Sequence, residues 1–481
     1  MKNILLLILG LAIAGCHPRV KETTSPFHAV SPDFENRTVI IPEGFTYTVL
    51  FQEGDTLLSS QGLLAPAKGS QDMLIYIPIN QSSEHGYLYV NHEEHKPNSV
   101  LGDGGGGSIL EVKKVNGTWQ TVGDIYAIDF STVGETFRNC GGTITSNGHI
   151  LTTEEEFPMS NEEIMSRFGI TDTSDYNGRK KYLNYGWVVE VDPITRKAIR
   201  KIANFGRFPH EDLHVMPDNK TVYITSDNRP SLLFKFIAEH ENDFTSGQLF
   251  AFQQTSAKQP GKWLSFPMEL DSLSNATDVA VRMGATMYVS YEWIELVDDK
   301  LYITESGASN FNFSKEINQG GIVTKHLTKL PHEGDTYHDH FGRILSLDLK
   351  TNQMEVVLEG GVSSKDSMLC FSSPDAMTAI KIKGKNYLVI SEDSHSGTNG
   401  KATEAVKAKG ETYNEIYFLD LSIVNPTLDD LQRFMMAPEG CETTGNFFTP
   451  DGKTMFTTIQ HPSSKNPAPF NKTSVIAITG F

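Results

Sequence analysis

The segment GKNYLVISED at residues 384–393 contains a pattern that recurs along the whole chain. A turn with glycine, aspartate or asparagine opens it, a short β-prone run follows, and a polar residue with an acid closes it. Five other segments share this order: residues 86–93, 148–155, 219–227, 299–305 and 452–461, the last of which ends in a histidine. Repeated strand units that are each too small to bury their own face are typical of a β-propeller. The repeat therefore predicts an all-β fold, a six-bladed β-propeller with inserted loops, and a pair of β-sandwiches is the alternative.

The ends of these segments place acids at matching positions. The acids are Glu93, Glu154, Glu155, Asp227, Glu305, Glu392 and Asp393. A turn-forming role accounts for one or two such acids but not for the series. If each segment is the innermost strand of its blade, these side chains converge on one end of an axial channel. The repeat therefore predicts an axial site that is rich in carboxylates.

Three more acids lie outside the repeats. They are Glu211 in GRFPHE, Asp375 after a proline, and Glu442 after a cysteine. Clustered carboxylates cannot all stay ionised in a confined channel unless cations compensate their charge. Oxygen ligands suit Ca²⁺, whereas a thiolate among carboxylates suits iron or another transition metal, and also zinc. The donor set predicts a metal site and leaves the metal open.

The N-terminus indicates export with a lipid anchor. An apolar run over residues 5–15 follows a short cationic start and is too short to span a hydrocarbon core of about 30 Å. The run leads directly into Cys16, and this join resembles the lipobox of bacterial lipoproteins; a plain secretory signal is the alternative. We expect residues 1–16 to be the signal peptide and lipobox with Cys16 lipidated, 17–35 a tether, and 36–481 a single propeller domain. The expected location is the bacterial cell envelope, on the outer membrane or its periplasmic face, with membrane contact only through the lipid.

The charge of the chain excludes a nucleic-acid binder, and its cysteine content leaves the role of at least one thiol open. The chain has 41 basic and 59 acidic residues and a net charge of −18, whereas a nucleic-acid binder held by phosphate contacts needs the opposite sign. Beyond Cys16 the cysteines are Cys140, Cys370 and Cys441, so at least one thiol is unpaired within the chain. A buried inert thiol and a metal ligand are both open for it.

Several segments in combination resemble the PhoX-type alkaline phosphatases, from about residue 35 to the C-terminus. In the family's order they are NHE at 91–93, NCGGT at 139–143, LTTEE at 151–155, GRFPHE at 206–211, PD at 374–375, SED at 391–393, ETTG at 442–445 and QHP at 460–462. Each motif is weak alone and specific in combination. The resemblance implies a six-bladed propeller that hydrolyses phosphate monoesters.

The resemblance also implies a cofactor and its ligands. Two ferric ions (Fe³⁺) and calcium ions (Ca²⁺) would share the axial site, bridged by an oxo group that attacks phosphorus. Cys140 is implied as an iron ligand together with Glu211 and Glu292. The other acids are implied as ligands shared with calcium: Glu93, Glu154, Glu155, Asp375, Glu392 and Glu442. Asp227 and His461 are expected to contact the substrate.

One departure from the family pattern bears on activity. The family's Arg-Pro-Glu is Ser290-Tyr291-Glu292 here, so the glutamate is kept and the arginine expected at the phosphate is a serine. Arg229 and Arg282 are the candidates to supply that charge. We expect a monomer that acts on small phosphate esters. The alternatives are a non-catalytic calcium-binding propeller that binds a ligand or protein, and a hydrolase of a phosphodiester or lactone.

Histidines give two further expectations. His210 and His461 are the candidates for protonating the leaving group. His338 and His340 flank Asp339 just before a strand entry, and we expect a solvated loop there and not a metal site.

Overall fold

The computed structural model describes residues 25–312, 319–330, 336–394 and 412–481. Cys16 and the rest of the predicted signal peptide lie outside the described residues. The first strand, β1 (Thr46–Gln52), belongs to the last large sheet of the chain. The first three blades follow in chain order. They contain β2 (Thr56–Leu58), β3 (Leu64–Pro66), β4 (Gln71–Pro78), β5 (His85–His92), β6 (Gly107–Val115) and β7 (Thr118–Ala127); then β8 (Asn139–Ile144), β9 (Ile150–Glu154), β10 (Val188–Asp192) and β11 (Lys197–Ile202); then β12 (His210–Val215), β13 (Thr221–Ser226), β14 (Leu233–His240), β15 (Asp243–Gln253) and β16 (Lys262–Ser265).

The second half of the chain forms three more blades and two small insertions. Blade four contains β17 (Tyr291–Val297), β18 (Lys300–Glu305), β22 (Arg343–Asp348) and β23 (Gln353–Glu359), with β19 (Ala308–Asn312), β20 (Thr328–Lys329) and β21 (Thr336–Asp339) inserted. A ribbon of β24 (Gly361–Val362) and β25 (Cys370–Phe371) leads to blade five, which contains β26 (Pro374–Ile382), β27 (Lys385–Glu392), β28 (Glu415–Asp420) and β29 (Leu431–Met436). Blade six contains β30 (Glu442–Phe448), β31 (Thr454–Gln460) and β32 (Ser474–Thr479), together with β1.

Helices are short and lie in the connections. Helix α1 (Asn161–Phe168) is inserted between β9 and β10, and α2 (Leu270–Ser274) and α3 (Ala276–Met283) lie between β16 and β17. Within the described ranges, no helix has the length and apolar character needed to cross a membrane.

One strand from each large sheet lines the axis. These strands are β4, β8, β12, β17, β26 and β30. Each of them contacts the next one around the ring, and β30 contacts β4, so the ring is closed. Every blade then continues outward from its inner strand. This arrangement confirms the predicted six-bladed β-propeller.

The recurring sequence segments form the second strand of each blade, one place outward from the axis. They contain β5, β9, β13, β18, β27 and β31. The expectation that they would be innermost is wrong. A second strand lies between two strands of its own blade, and all seven residues of β31 are buried, so β-prone residues extend along its whole length. Each inner strand begins with polar residues at the axis. These residues interrupt the β-prone run by which a strand is recognised in a sequence.

The N-terminal part of the described chain closes the ring. Strand β1 pairs antiparallel with β32, with Thr46 opposite Thr479. Before β1, the chain runs along blade five, where Phe27 is buried and the Val30 N–H donates to the Arg433 carbonyl at 3.0 Å. Residues 25–35, assigned to the tether from the sequence, therefore include packed chain.

Candidate metal centre at the propeller axis

Each inner strand presents one carboxylate or thiol side chain to the axial cavity at its start. Around the ring these are Asp72, Cys140, Glu211, Glu292, Asp375 and Glu442, the first or second residue of its strand. In blades one to five the strand pairing shifts directly after this point. Such a bulge re-aims a side chain relative to a regular strand. The six bulged or strand-starting positions thus form an inner tier of donors around the axis.

Two glycines allow the bulge beside the thiol. A Cβ atom on Gly141 would lie 2.4 Å from the Glu211 carbonyl oxygen, and one on Gly142 would lie 2.1 Å from the Leu151 carbonyl oxygen. Any larger residue would push apart the inner strands of blades two and three, or the two strands of blade two. The glycine pair therefore lets the backbones approach closely where Cys140 enters the cavity.

A second tier comes from the residues that directly follow the second strands. They are Glu93, Glu155, Asp227, Ser306, Asp393 and His461, and all line the axial cavity. Two of them contact their neighbours: the Ser306 hydroxyl donates to Glu292 at 2.5 Å, and the Gln460 amide donates to Glu93 at 2.8 Å. The second tier therefore supports the first as well as extending it.

Two acids predicted as metal ligands, Glu154 and Glu392, lie outside the cavity lining. Successive side chains of a strand point to opposite sides, so each acid faces away from the residue that follows it. The Glu154 carboxylate accepts backbone N–H groups of Phe137 and Trp187 and pairs with Lys201 at 2.8 Å. The Glu392 carboxylate accepts the N–H groups of Ser372 and Glu415 at 3.0 and 3.1 Å. The two acids therefore hold loops against their blades. Because neither lines the cavity, the prediction that they are metal ligands is corrected.

The cavity has a volume of about 220 Å³ and is strongly acidic. Nine carboxylates line it: Asp72, Glu93, Glu155, Glu211, Asp227, Glu292, Asp375, Asp393 and Glu442. Burial, reinforced by neighbouring carboxylates, raises the pKa of Glu211, Glu292, Asp375 and Glu442 well above the ordinary range. Burial also raises the pKa of Asp72 to about 6. Without cations these groups hold their protons to a higher pH than exposed carboxyls do, and bound cations would take the place of those protons.

The thiol of Cys140 belongs to this cluster. It is buried and donates to Asp72 at 2.9 Å and to Glu211 at 3.1 Å. Burial and these two acids raise the pKa of the thiol well above its ordinary value. A bound cation would stabilise the thiolate in such surroundings.

The donor atoms form four overlapping groups, each within 4.8 Å. The groups are Cys140 with Glu155 and Glu211; Glu211 with Glu292 and Asp375; Asp375 with Asp393 and Glu442; and Glu442 with Glu93 and His461. Three carboxylates each belong to two groups and so connect the row. One buried oxygen of Asp375 has no hydrogen-bond partner among the described residues. The site thus fits several cations in a row, with a thiolate position at one end and oxygen donors along the rest.

Two arginines line the cavity, and only one of them pairs with carboxylates. Arg138 bonds to Glu93 and lies 2.8 Å from Glu155 and 3.3 Å from Glu156. Arg229 makes no ion pair with any described residue. Arg282 lies on α3 and does not line the cavity. Of the two candidates from the sequence, the structure brings Arg229 to the site.

The histidines singled out from the sequence lie in different environments. His461 lines the cavity, whereas His210 is buried against Phe208 with ring centroids 3.7 Å apart. Burial lowers the pKa of His210 to about 3, so this ring stays neutral. His210 is not among the described residues that line the cavity. His338 lies on strand β21, which corrects the expected loop at that residue, and its ring is tilted against that of His340 with centroids 4.2 Å apart. Neither histidine is among the described residues that line the cavity.

Asp72, Arg138 and Asp393 are site residues that the assigned ligand set from the sequence does not contain. Asp72 follows Gln71 before a buried strand, in the same way that Cys140 follows Asn139 and Glu211 follows His210. This pair of polar residues at the start of an inner strand is the sequence feature from which Asp72 could have been predicted as a site residue. Glu392 and Asp393 are adjacent acids, and the sequence does not show which of them faces the cavity. Arg138 does not belong to a motif that would mark it as a site residue.

Fold and cavity together define a β-propeller protein with an axial cluster of carboxylates and a thiol that could hold metal ions. The family model described as alkaline phosphatase PhoX matches residues 25–129 and 119–463. These ranges cover most of the chain, which therefore belongs to the PhoX alkaline phosphatase family and is a phosphoric ester hydrolase.

Solved structures resemble this chain to different degrees. Pseudomonas fluorescens PhoX in complex with vanadate, a transition state analogue, has a TM-score of 0.70 and 21% identity, over 94% of this chain and 98% of that chain. A Trichoderma reesei protein of carbohydrate-active enzyme family AA12 has a TM-score of 0.44 and 10% identity, over 94% and 100% of the two chains. Trypanosoma rangeli sialidase has a TM-score of 0.40 and 9% identity, over 91% and 60%. No curated protein matches the chain.

Proposed function

We propose that this phosphatase hydrolyses small phosphate monoesters at a centre of iron and calcium ions in the axial cavity. The observation that carries the proposal is the row of four overlapping donor groups with a single thiol at one end. Calcium prefers oxygen ligands, so a purely structural calcium site does not need a thiolate. The presence of the thiol therefore favours a transition metal at Cys140. The similar structure from Pseudomonas fluorescens holds vanadate, a transition state analogue, and this supports phosphoryl chemistry.

The carboxylates and the thiol would hold the ions, with Cys140, Glu155 and Glu211 at the iron end and the other groups at the calcium positions. When bound, such ions neutralise the phosphoryl oxygens and supply an oxygen nucleophile for in-line attack. The protein's own part is to fix the donors. Arg138 holds Glu93 and Glu155 from two blades, and the Thr444 hydroxyl donates to Asp72 at 2.5 Å.

The leaving group would lie in a second cavity of about 480 Å³ that adjoins the first. The two cavities share Glu93, Arg138 and His461. Lys96 and Lys472 add hydrogen-bond donors to its wall. This polar lining suits an alcohol with hydrogen-bonding groups, and His461 lies in the wall that the two cavities share.

Export and lipid attachment at Cys16 are part of the proposal. The apolar run that ends in this cysteine supports them. Metabolic labelling with an alkynyl fatty acid should mark the wild-type protein and not Cys16→Ser. Equal labelling of both would contradict the anchor.

Hydrolysis of p-nitrophenyl phosphate at alkaline pH, by protein lacking residues 1–16, tests the activity. We expect turnover with calcium, loss after chelation, and recovery when metal is restored. Bis(p-nitrophenyl) phosphate is the matched diester and should react far more slowly. No turnover of the monoester by folded, metal-loaded protein would contradict the proposal and favour another ester or a binding role.

A further inference from the structure

The cavity poses an electrostatic problem for its own substrate. Nine carboxylates line it, and a phosphate monoester carries about two negative charges at alkaline pH. Bound cations offset part of this repulsion, but they are held by the carboxylates. A substrate anion therefore also needs a positive group that the carboxylates have not already engaged.

Arg229 is that group among the described lining residues. Arg138, the other lining arginine, has three carboxylate partners in Glu93, Glu155 and Glu156. Arg229 has no ion-pair partner among described residues, and its side chain is exposed at the cavity. A guanidinium also matches a phosphate geometrically, because its planar fork donates two parallel hydrogen bonds.

The loop that carries Arg229 is fixed in place. The Asn228 carbonyl accepts the N–H of Ser290 at 3.2 Å, and the Ser231 hydroxyl accepts the N–H of Tyr291 at 2.9 Å. The Ser231 backbone also exchanges two hydrogen bonds with Tyr288, at 2.9 and 3.0 Å. The backbone of Arg229 is therefore held between blades three and four, while its side chain can reach an anion.

The loop also places Arg229 beside the two tiers of donors. Asp227, two residues earlier, lines the same cavity, and Ser290 directly precedes the strand that carries Glu292. Burial raises the pKa of Asp227, and the charge of Arg229 acts against that rise. The guanidinium thus acts electrostatically on a carboxylate of the site.

We propose that Arg229 binds the phosphoryl group of the substrate directly and is a specificity-determining residue for phosphate anions. The proposal rests on the proposed phosphatase activity for the identity of the substrate. It assigns Arg229 to anion binding and not to metal binding. Its removal should therefore weaken phosphate without releasing ions.

The test compares Arg229→Ala and Arg229→Lys with Arg282→Ala, the matched control on helix α3. Metal-loaded proteins are titrated with inorganic phosphate by calorimetry and assayed with p-nitrophenyl phosphate. Loss of a charge-assisted pair predicts that Arg229→Ala raises the Kd of phosphate and the KM about tenfold to a hundredfold. Arg229→Lys should recover part of this loss, because it keeps the charge but not the fork, and Arg282→Ala should match wild type.

Metal content and thermal stability separate the possible reasons for a change. Unchanged metal content and melting temperature in Arg229→Ala, with weakened phosphate, support the proposal. Wild-type phosphate affinity in Arg229→Ala, or weakened phosphate accompanied by lost metal, overturns it. If wild type binds phosphate but turns nothing over, the proposed function fails while the binding comparison still decides on Arg229. If metal-loaded wild type binds no phosphate, both proposals fail.

Discussion

Removal of bound metal ions is expected to make the stability of this protein fall as the pH rises. The metal-free cavity contains Asp72, whose pKa moves from 3.8 to about 6 because of burial. A folded pKa above the unfolded value means that the folded state binds the proton more tightly. The stability that this proton provides is complete below about pH 4 and is lost as the pH passes through 6.

The size of the effect follows from that pKa. At about 1.4 kcal/mol for each pH unit by which the pKa moves, Asp72 alone lowers the free energy of unfolding by about 3 kcal/mol at pH 8. Glu211, Glu292, Asp375 and Glu442 act in the same direction because burial also raises their pKa. Typical proteins have a free energy of unfolding of only about 5–15 kcal/mol, so the metal-free protein should be severely destabilised at alkaline pH.

Urea unfolding between pH 5 and 8, with metal-free and calcium-saturated protein, measures this effect. The difference between the two forms should widen as the pH rises. The variant Asp72→Asn should flatten the metal-free profile, whereas Asp243→Asn, which replaces an acid far from the axis, should not. A metal-free free energy of unfolding that stays constant or rises from pH 5 to 8 would refute the reasoning.

Two further predictions concern the donors. Cys140→Ala should lose iron and most activity while its circular dichroism spectrum stays native, and Cys441→Ala, which alters a buried thiol outside the cavity lining, should keep both; retained iron in the first variant would show that the thiol is no ligand. Compared in the metal-free form, Glu155→Gln should melt close to the wild type but take up less metal when it is supplied, whereas Glu154→Gln should take up metal normally and melt lower, because Lys201 is left without its carboxylate partner. Metal analysis and thermal melts check this pair, and the reverse pattern would contradict the assigned side-chain directions.

The sequence was sufficient for the propeller and for most of the donors. The blade number was legible because every second strand is a continuous β-prone run followed by a polar end. The family motifs around Cys140, Glu211 and Glu442 indicated the axial site because bulges and close backbone approaches restrict the residues allowed there. These features are local, and local patterns survive in a one-dimensional sequence.

The direction of individual side chains could not be predicted in the same way. Glu154 and Glu155 are adjacent acids, as are Glu392 and Asp393, and a shift of one residue exchanges the two sides of a strand. His210 stands in a motif but packs against Phe208, which only the three-dimensional structure shows. Asp72 is separated from its partner Thr444 by 372 residues of sequence, so their hydrogen bond leaves no local pattern.

Closure of the ring by β1 and β32 also determines when the site can exist. A ribosome completes blade six last, and that blade supplies Glu442 and His461 as well as the partner for the first strand. A nascent chain therefore lacks the last of the four donor groups, and part of the third, until the residues from Glu442 onward have been made. The proposed metal centre can therefore be filled completely only after synthesis. The metal content of the protein would then report whether folding is complete. A chain cut short before β32 should be recognisable by its inability to retain metal, whatever secondary structure it has formed.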